Sequence, residues 1–135
     1  MGVWGVEAFS NDDAADWLFA LYESDDLSVI DKALSRVVST AGYLEAPESM
    51  EGIAAAEVVA RLKGRPDPKT LAEEELRRWI SGMKLKPDAD LTKKALATID
   101  RILTAPSELL ELWQESTEFD DWKTSLLNLK QRISA

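Results

Sequence analysis

Bulky apolar residues recur three and four positions apart along most of the chain, the spacing of one helix face rather than of a strand. Ala14, Trp17, Leu18 and Leu21 form the first such stripe, and Ser10 or Asn11 ahead of it can accept a backbone N–H as the cap. Asp12, Asp13 and Asp16 fall in the opening turns, where the helix dipole favours negative charge. Ser24, Asp25 and Asp26 interrupt the pattern. A second stripe, Leu27, Ile30, Leu34, Val37, Val38 and Ala41, runs up to Gly42, which predicts the helix stop there. Pro47 opens a third helix as a first-turn proline; Met50, Ile53, Ala54, Val58 and Leu62 line it and Gly64 ends it. Residues 65–69, RPDPK, read as a loop. Thr70 and Glu73 form a capping box for a fourth helix, with Leu71, Leu76, Trp79 and Ile80 facing inward. Gly82 and Pro87 bracket the next connection. A fifth helix begins near Asp90, carries Leu91, Ala95, Ile99, Ile102 and Leu103, and is ended by Pro106. Ser107 and Glu108 start a sixth with Leu109, Leu110 and Trp113, and after a turn at 115–119 a last helix carries Trp122, Leu126, Leu129 and Ile133.

No stretch alternates apolar and polar residues long enough to argue a strand. The expected fold is therefore all-α, an irregular single-domain bundle of about seven short helices over residues 11–135, preceded by an N-terminal arm at 1–10. The length suits one domain. The arm, MGVWGVEAFS, carries Trp4, Val6 and Phe9 with two glycines. Three bulky apolar groups in so short a segment are expected to pack on the core, with Phe9 as an anchor. No internal repeat supports a solenoid, and no apolar run reaches the ~20 residues that span a bilayer.

Composition narrows the chemistry. The chain has no cysteine and no histidine, which removes thiolate nucleophiles, disulfides, histidine-based triads and zinc fingers. Absence of cysteine and of a leader-like N-terminus makes the cytosol the expected location. Net charge is −9, spread unevenly: residues 1–31 carry eight acids and no Lys or Arg, residues 32–101 sum to +2, and residues 102–135 sum to −3. Phosphate binding needs concentrated Lys and Arg, so nucleic acid and acidic membrane are not the expected partners. A basic protein is the direction in which this charge points.

Four features could carry function. Asp12, Asp13 and Asp16 lie three and four apart on one helix face, so a divalent cation is conceivable there, although acids at a helix start stabilise it without any metal. Glu57 lies in IAAAEVVARL, in a core-facing slot of an apolar helix. A charge there must be paired or hydrogen-bonded. It reads either as a general acid or base with a raised pKa, or as a structural anchor that accepts backbone N–H groups or an indole N–H from the arm; the anchor is the better reading because no second catalytic group stands nearby. Of the five tryptophans, Trp17, Trp79, Trp113 and Trp122 fall on apolar helix faces, which leaves Trp4 as the one to hold open for a contact. The run from Glu108 to Asp121 has six acids and no base and reads as a solvated face.

The opening MGVWGVEAFSNDDAADWL resembles the N-terminal pattern of an uncharacterised bacterial family, domain of unknown function 4259. GYLEAPESMEGIAAAEVVARLKGRP and SELLELWQES, followed by a Trp-bearing helix, resemble it too. Gly2, Trp4, Gly5, Phe9, Asn11, Asp12, Ala14 and Asp16 match its signature, Glu57 matches the second stretch, and the chain departs at Val6-Glu7-Ala8, where small residues are more usual. The resemblance implies a bacterial, cytosolic, helical protein and brings no activity with it. Two functional readings follow. One is a non-catalytic protein-interaction domain with an acidic face, an adaptor or an immunity-like protein, using Trp4, Asp12, Asp13 and Asp16 for contact and Phe9, Asn11 and Glu57 as anchors, with no cofactor. The other is a metal-binding protein or enzyme built on Asp12, Asp13, Asp16 and Glu57.

Overall fold

A computed structural model describes residues 5–67 and 74–135. Trp4 and the capping box expected at Thr70 and Glu73 lie outside the described residues, as does Leu71. Among those described there are seven helices and no strand: α1 (Asp12–Tyr22), α2 (Ser28–Val38), α3 (Ala46–Leu62), α4 (Glu74–Met83), α5 (Ala89–Ile102), α6 (Glu108–Gln114) and α7 (Phe119–Ser134). This is the all-α bundle that the periodicity predicts.

α3 is the centre of the bundle, and α1, α2, α5, α6 and α7 all pack on it. It is therefore buried on nearly every side: Ala54, Ala55, Ala56, Val58, Val59 and Ala60 are all fully enclosed. Its small residues let neighbours approach closely, most of all at Gly52. A Cβ there would stand 2.7 Å from Val37 Cγ2 of α2 and 3.1 Å from Thr98 Cγ2 of α5. A central glycine costs helix propensity, and here the crossing of three helices requires it.

α2 and α5 run parallel, since Asp31 pairs with Lys94, Leu34 O accepts from Thr98 Oγ1 at 3.3 Å and Thr40 O accepts from Arg101 Nε at 3.2 Å. Their two carbonyl ends meet, and Arg101 binds them together. Its guanidinium donates to the carbonyls of Thr40, Gly42 (2.7 Å), Thr104 (2.9 Å) and Pro106 (3.1 Å). A cation at the carbonyl ends of two helices also complements both dipoles.

Two helix ends fall earlier than the sequence indicates. α2 stops at Val38 rather than at Gly42, and α5 stops at Ile102 rather than at Pro106. In both cases a threonine just beyond the helix supplies the missing donor: Thr40 Oγ1 reaches Arg36 O at 2.7 Å, and Thr104 Oγ1 reaches Asp100 O at 2.6 Å. With those carbonyls satisfied, the chain leaves the helix before its Gly or Pro is reached. Beyond the two ends, Leu44 N donates to Pro106 O and Glu108 N to Leu44 O, which ties the two connections side by side.

Candidate functional site

The most unusual chemistry in the interior is a charged node that joins both ends of the chain to α3. Glu57 projects from the middle of α3, with its side chain 3% exposed. One turn on, Arg61 donates from Nε to Glu57 Oε2 at 3.1 Å, the i,i+4 pair that a helix brings together. From α7, Arg132 donates through Nη2 to Oε1 at 2.8 Å and through Nη1 to Oε2 at 2.9 Å. That contact is a two-pronged fork on the carboxylate. Arg132 also donates to Asn128 Oδ1 at 2.8 Å and to the Arg65 carbonyl at 3.1 Å. Phe9 of the arm covers the node, its ring centre 5.3 Å from Arg61 Cζ, within range of a cation–π contact.

Glu57 is thus buried and partnered, as its slot demands, but by guanidinium groups and not by backbone N–H groups or an indole. The sequence reading passed over Arg61, although its spacing of four was the signal that could have found it. Arg132 lies 75 residues away in sequence, and no local pattern could have found it. The node holds one carboxylate against two guanidiniums. Arg61 Nη2 is buried with no acceptor among the described residues.

The described part of the arm, residues 5–10, lies against α3, α6 and α7. Ala8 and Phe9 are buried and Val6 packs against the core. The hydrogen bonds of residues 5–10 among the described residues stay inside the arm, from Ser10 N to Glu7 O at 3.1 Å and from Ser10 Oγ to Glu7 Oε2 at 3.2 Å. Burial and the Phe9–Arg61 contact hold it in place. Beside the arm opens a cleft of about 370 Å³, walled by Val6, Glu7, Asp67 and the α7 residues Asp121, Thr124, Ser125 and Asn128. Three carboxylates from three separate segments face it, and no Lys or Arg among the described residues lines it.

The acids at the start of α1 sit elsewhere. Asn11 caps the helix as anticipated, its side chain accepting from Ala14 N at 2.7 Å. Asp12 and Asp16 are exposed and Asp13 half-buried. Asp16 lines a groove of about 440 Å³ between α1 and α2, shared with Lys32, Arg36 and Glu51 and floored by Trp17, Ala20, Val29 and Ala33. Burial pushes the Glu51 carboxyl above its usual range; Asp13 and Glu48 add to that, and Arg36, paired with it at 3.1 Å, pulls it back. No group of three Asp or Glu among the described residues converges to hold a metal ion. The carboxylates of the metal-based reading do not form one site, because Glu57 is enclosed by Arg61 and Arg132 while Asp12 and Asp16 face outward.

The acidic run on α6 is only partly a solvated face. Glu108 Oε1 accepts from Ala46 N at 2.7 Å and so caps α3 from a neighbouring helix. Glu111 accepts from the exposed Tyr43 hydroxyl at 3.3 Å. Burial first, then Glu111, Glu108 and Glu45 nearby, raise the Tyr43 pKa above its ordinary value. Trp17, Trp79 and Trp122 are core residues, and Trp113 is half-buried and stacked on Trp122 with ring centres 5.7 Å apart. No helix among the described residues is long and apolar enough to cross a membrane.

No curated protein and no solved structure matches the chain. A family model described as a domain of unknown function (DUF4259) matches residues 2–125. That span takes in the arm, all of α1 to α6 and the first part of α7, and on it the chain belongs to the DUF4259 family.

Proposed function

We propose that the chain is a non-catalytic protein-interaction domain that presents an acidic face to a basic partner, in the manner of an adaptor or an immunity protein acting in the cytosol. The observation that carries this reading is the cleft beside the arm, where Glu7 of the arm and Asp121 of α7 line one opening that no Lys or Arg among the described residues lines. Basic side chains are the groups such a surface attracts, and phosphate is what it repels. Thr124 and Ser125 add neutral hydroxyl groups able to accept from the ends of Lys or Arg. Asp12 and Asp13 carry further acidic charge at the start of α1, away from the cleft. Asp16 contributes less to that charge, because its groove also holds Lys32 and Arg36.

Affinity capture at low and high salt tests the reading. The baits are the wild type, a Glu7→Gln, Asp121→Asn variant, and an Asp12→Asn, Asp13→Asn, Asp16→Asn variant, each checked for folding by circular dichroism. The expected result is a basic protein retained by the wild type, released by salt, and lost from the cleft variant. Retention that ignores salt, or that is equal on all three baits, overturns it.

A further inference from the structure

We infer that the groove between α1 and α2 is a pairing surface for a second copy of this chain, α1 of each copy lying against α2 of the other. A chain of net charge −9 repels its own copies over most of its surface. In the α1–α2 groove that repulsion is locally balanced. Asp16 and Glu51 are matched there by Lys32 and Arg36, whereas no Lys or Arg among the described residues lines the cleft beside the arm.

The charges are also arranged to complement themselves. Arg36 and Glu51 already pair with each other. Asp16 on the α1 side and Lys32 on the α2 side both line the opening, and neither forms an ion pair with a described residue. A two-fold axis through the groove places each α1 wall on the partner's α2 wall. One contact geometry then forms two Asp16–Lys32 pairs between copies, the isologous pattern of a cyclic dimer. An unrelated partner would need an acidic and a basic flank in the same order to do as well.

The apolar content fits a buried contact. The floor is made of Trp17, Ala20, Val29 and Ala33, and its two alanines leave room for a facing helix. Phe19, three residues after Asp16 and so on an adjoining strip of α1, is 63% exposed, the highest among the exposed large hydrophobic residues of the described chain. A helix laid on α1 would cover it. This surface is separate from the acidic cleft, and the pairing does not depend on the function proposed above.

Sedimentation equilibrium on the purified full chain tests the inference, with no partner present. The wild type is expected to form a concentration-dependent dimer. Asp16→Lys alone and Lys32→Asp alone, each placing like charges together twice, are each expected to weaken it by about tenfold or more. The double variant, Asp16→Lys with Lys32→Asp, restores opposite charges across the axis and is expected to recover the dimer. Phe19→Ser, which leaves every charge in place, is expected to weaken it as well. All three positions of substitution are on exposed parts of helices, and circular dichroism checks the fold of each variant. A wild type that stays monomeric at every concentration overturns the inference, as does a dimer indifferent to the single changes or not recovered by the double one.

Discussion

At the scale of single residues, the buried Glu57 governs more of the molecule than any exposed acid. Its two oxygens accept three N–H bonds from Arg61 and Arg132, so the carboxylate is compensated in full. Arg61, 4% exposed, has no route to water if that carboxylate is neutralised, whereas Arg132 at 13% retains one. Removing one partner of a buried pair costs about 3–5 kcal/mol, because the remaining charge is stranded. Glu57→Gln, which keeps the shape and removes the charge, is therefore expected to lower unfolding free energy in urea by about that amount. Arg132→Gln should cost less, since it leaves Glu57 still paired with Arg61. Were Glu57→Gln to shift the midpoint no more than an exposed-site change does, the node would not be the anchor described above. The residue pattern announced that Glu57 needed a partner, but the expectation of backbone N–H groups or an indole passed over Arg61, whose spacing of four was the available signal. That pattern could not offer Arg132, which only the packing of α7 on α3 brings near.

Elements were legible where amphipathic stripes are clean and less so where a helix is buried all round. α5 and α7 each bury one stripe, and the residues read from the sequence, such as Ala95, Ile99, Leu126 and Ile133, are the ones enclosed. α3 carries no such contrast: its alanines are buried as fully as Val58, yet an alanine gives no periodic signal. For the same reason Gly52 reads as an ordinary weak spot when it is the point where α2, α3 and α5 meet. Helix ends were shifted where a threonine hydroxyl, at Thr40 and Thr104, satisfies a terminal carbonyl ahead of the expected Gly or Pro. Gly52→Ala separates the two readings of that glycine. Helix propensity alone would stabilise the variant by about 1 kcal/mol, and a Cβ forced against the short, branched Val37 side chain costs about 1–3 kcal/mol. Net destabilisation is expected in thermal melts. Adding Val37→Ala should then cost less in the Gly52→Ala background than in the wild type, because it removes the obstructing methyl. A simple rise in melting temperature on Gly52→Ala would mean that the crossing has room to spare.

For the whole molecule, the consequence of the node is that the two ends of the chain report on each other. Phe9 lies over Arg61, Arg61 and Glu57 are one turn apart on the central helix, and Glu57 holds Arg132 near the end of α7. The arm has no hydrogen bond to the bundle among the described residues, so its hold on this chain of contacts is the burial of Phe9 and its cation–π contact. Emptying that site by Phe9→Ala costs about 3–5 kcal/mol when a phenylalanine is well buried, and it also admits water to the Arg61 guanidinium. Water competes for the same carboxylate that orders Arg132. Local opening is then expected to spread to α7 before it reaches the far side of the bundle. Hydrogen exchange on Phe9→Ala checks this directly. Amides of residues 126–134 should lose protection beyond the global change in stability, while those of α2 and α5, joined to each other through Lys94, Thr98 and Arg101, should lose no more than that change. A uniform loss across α2, α5 and α7 would show that Phe9 contributes only to the common core, and that the arm and the C-terminal helix are not coupled through Glu57.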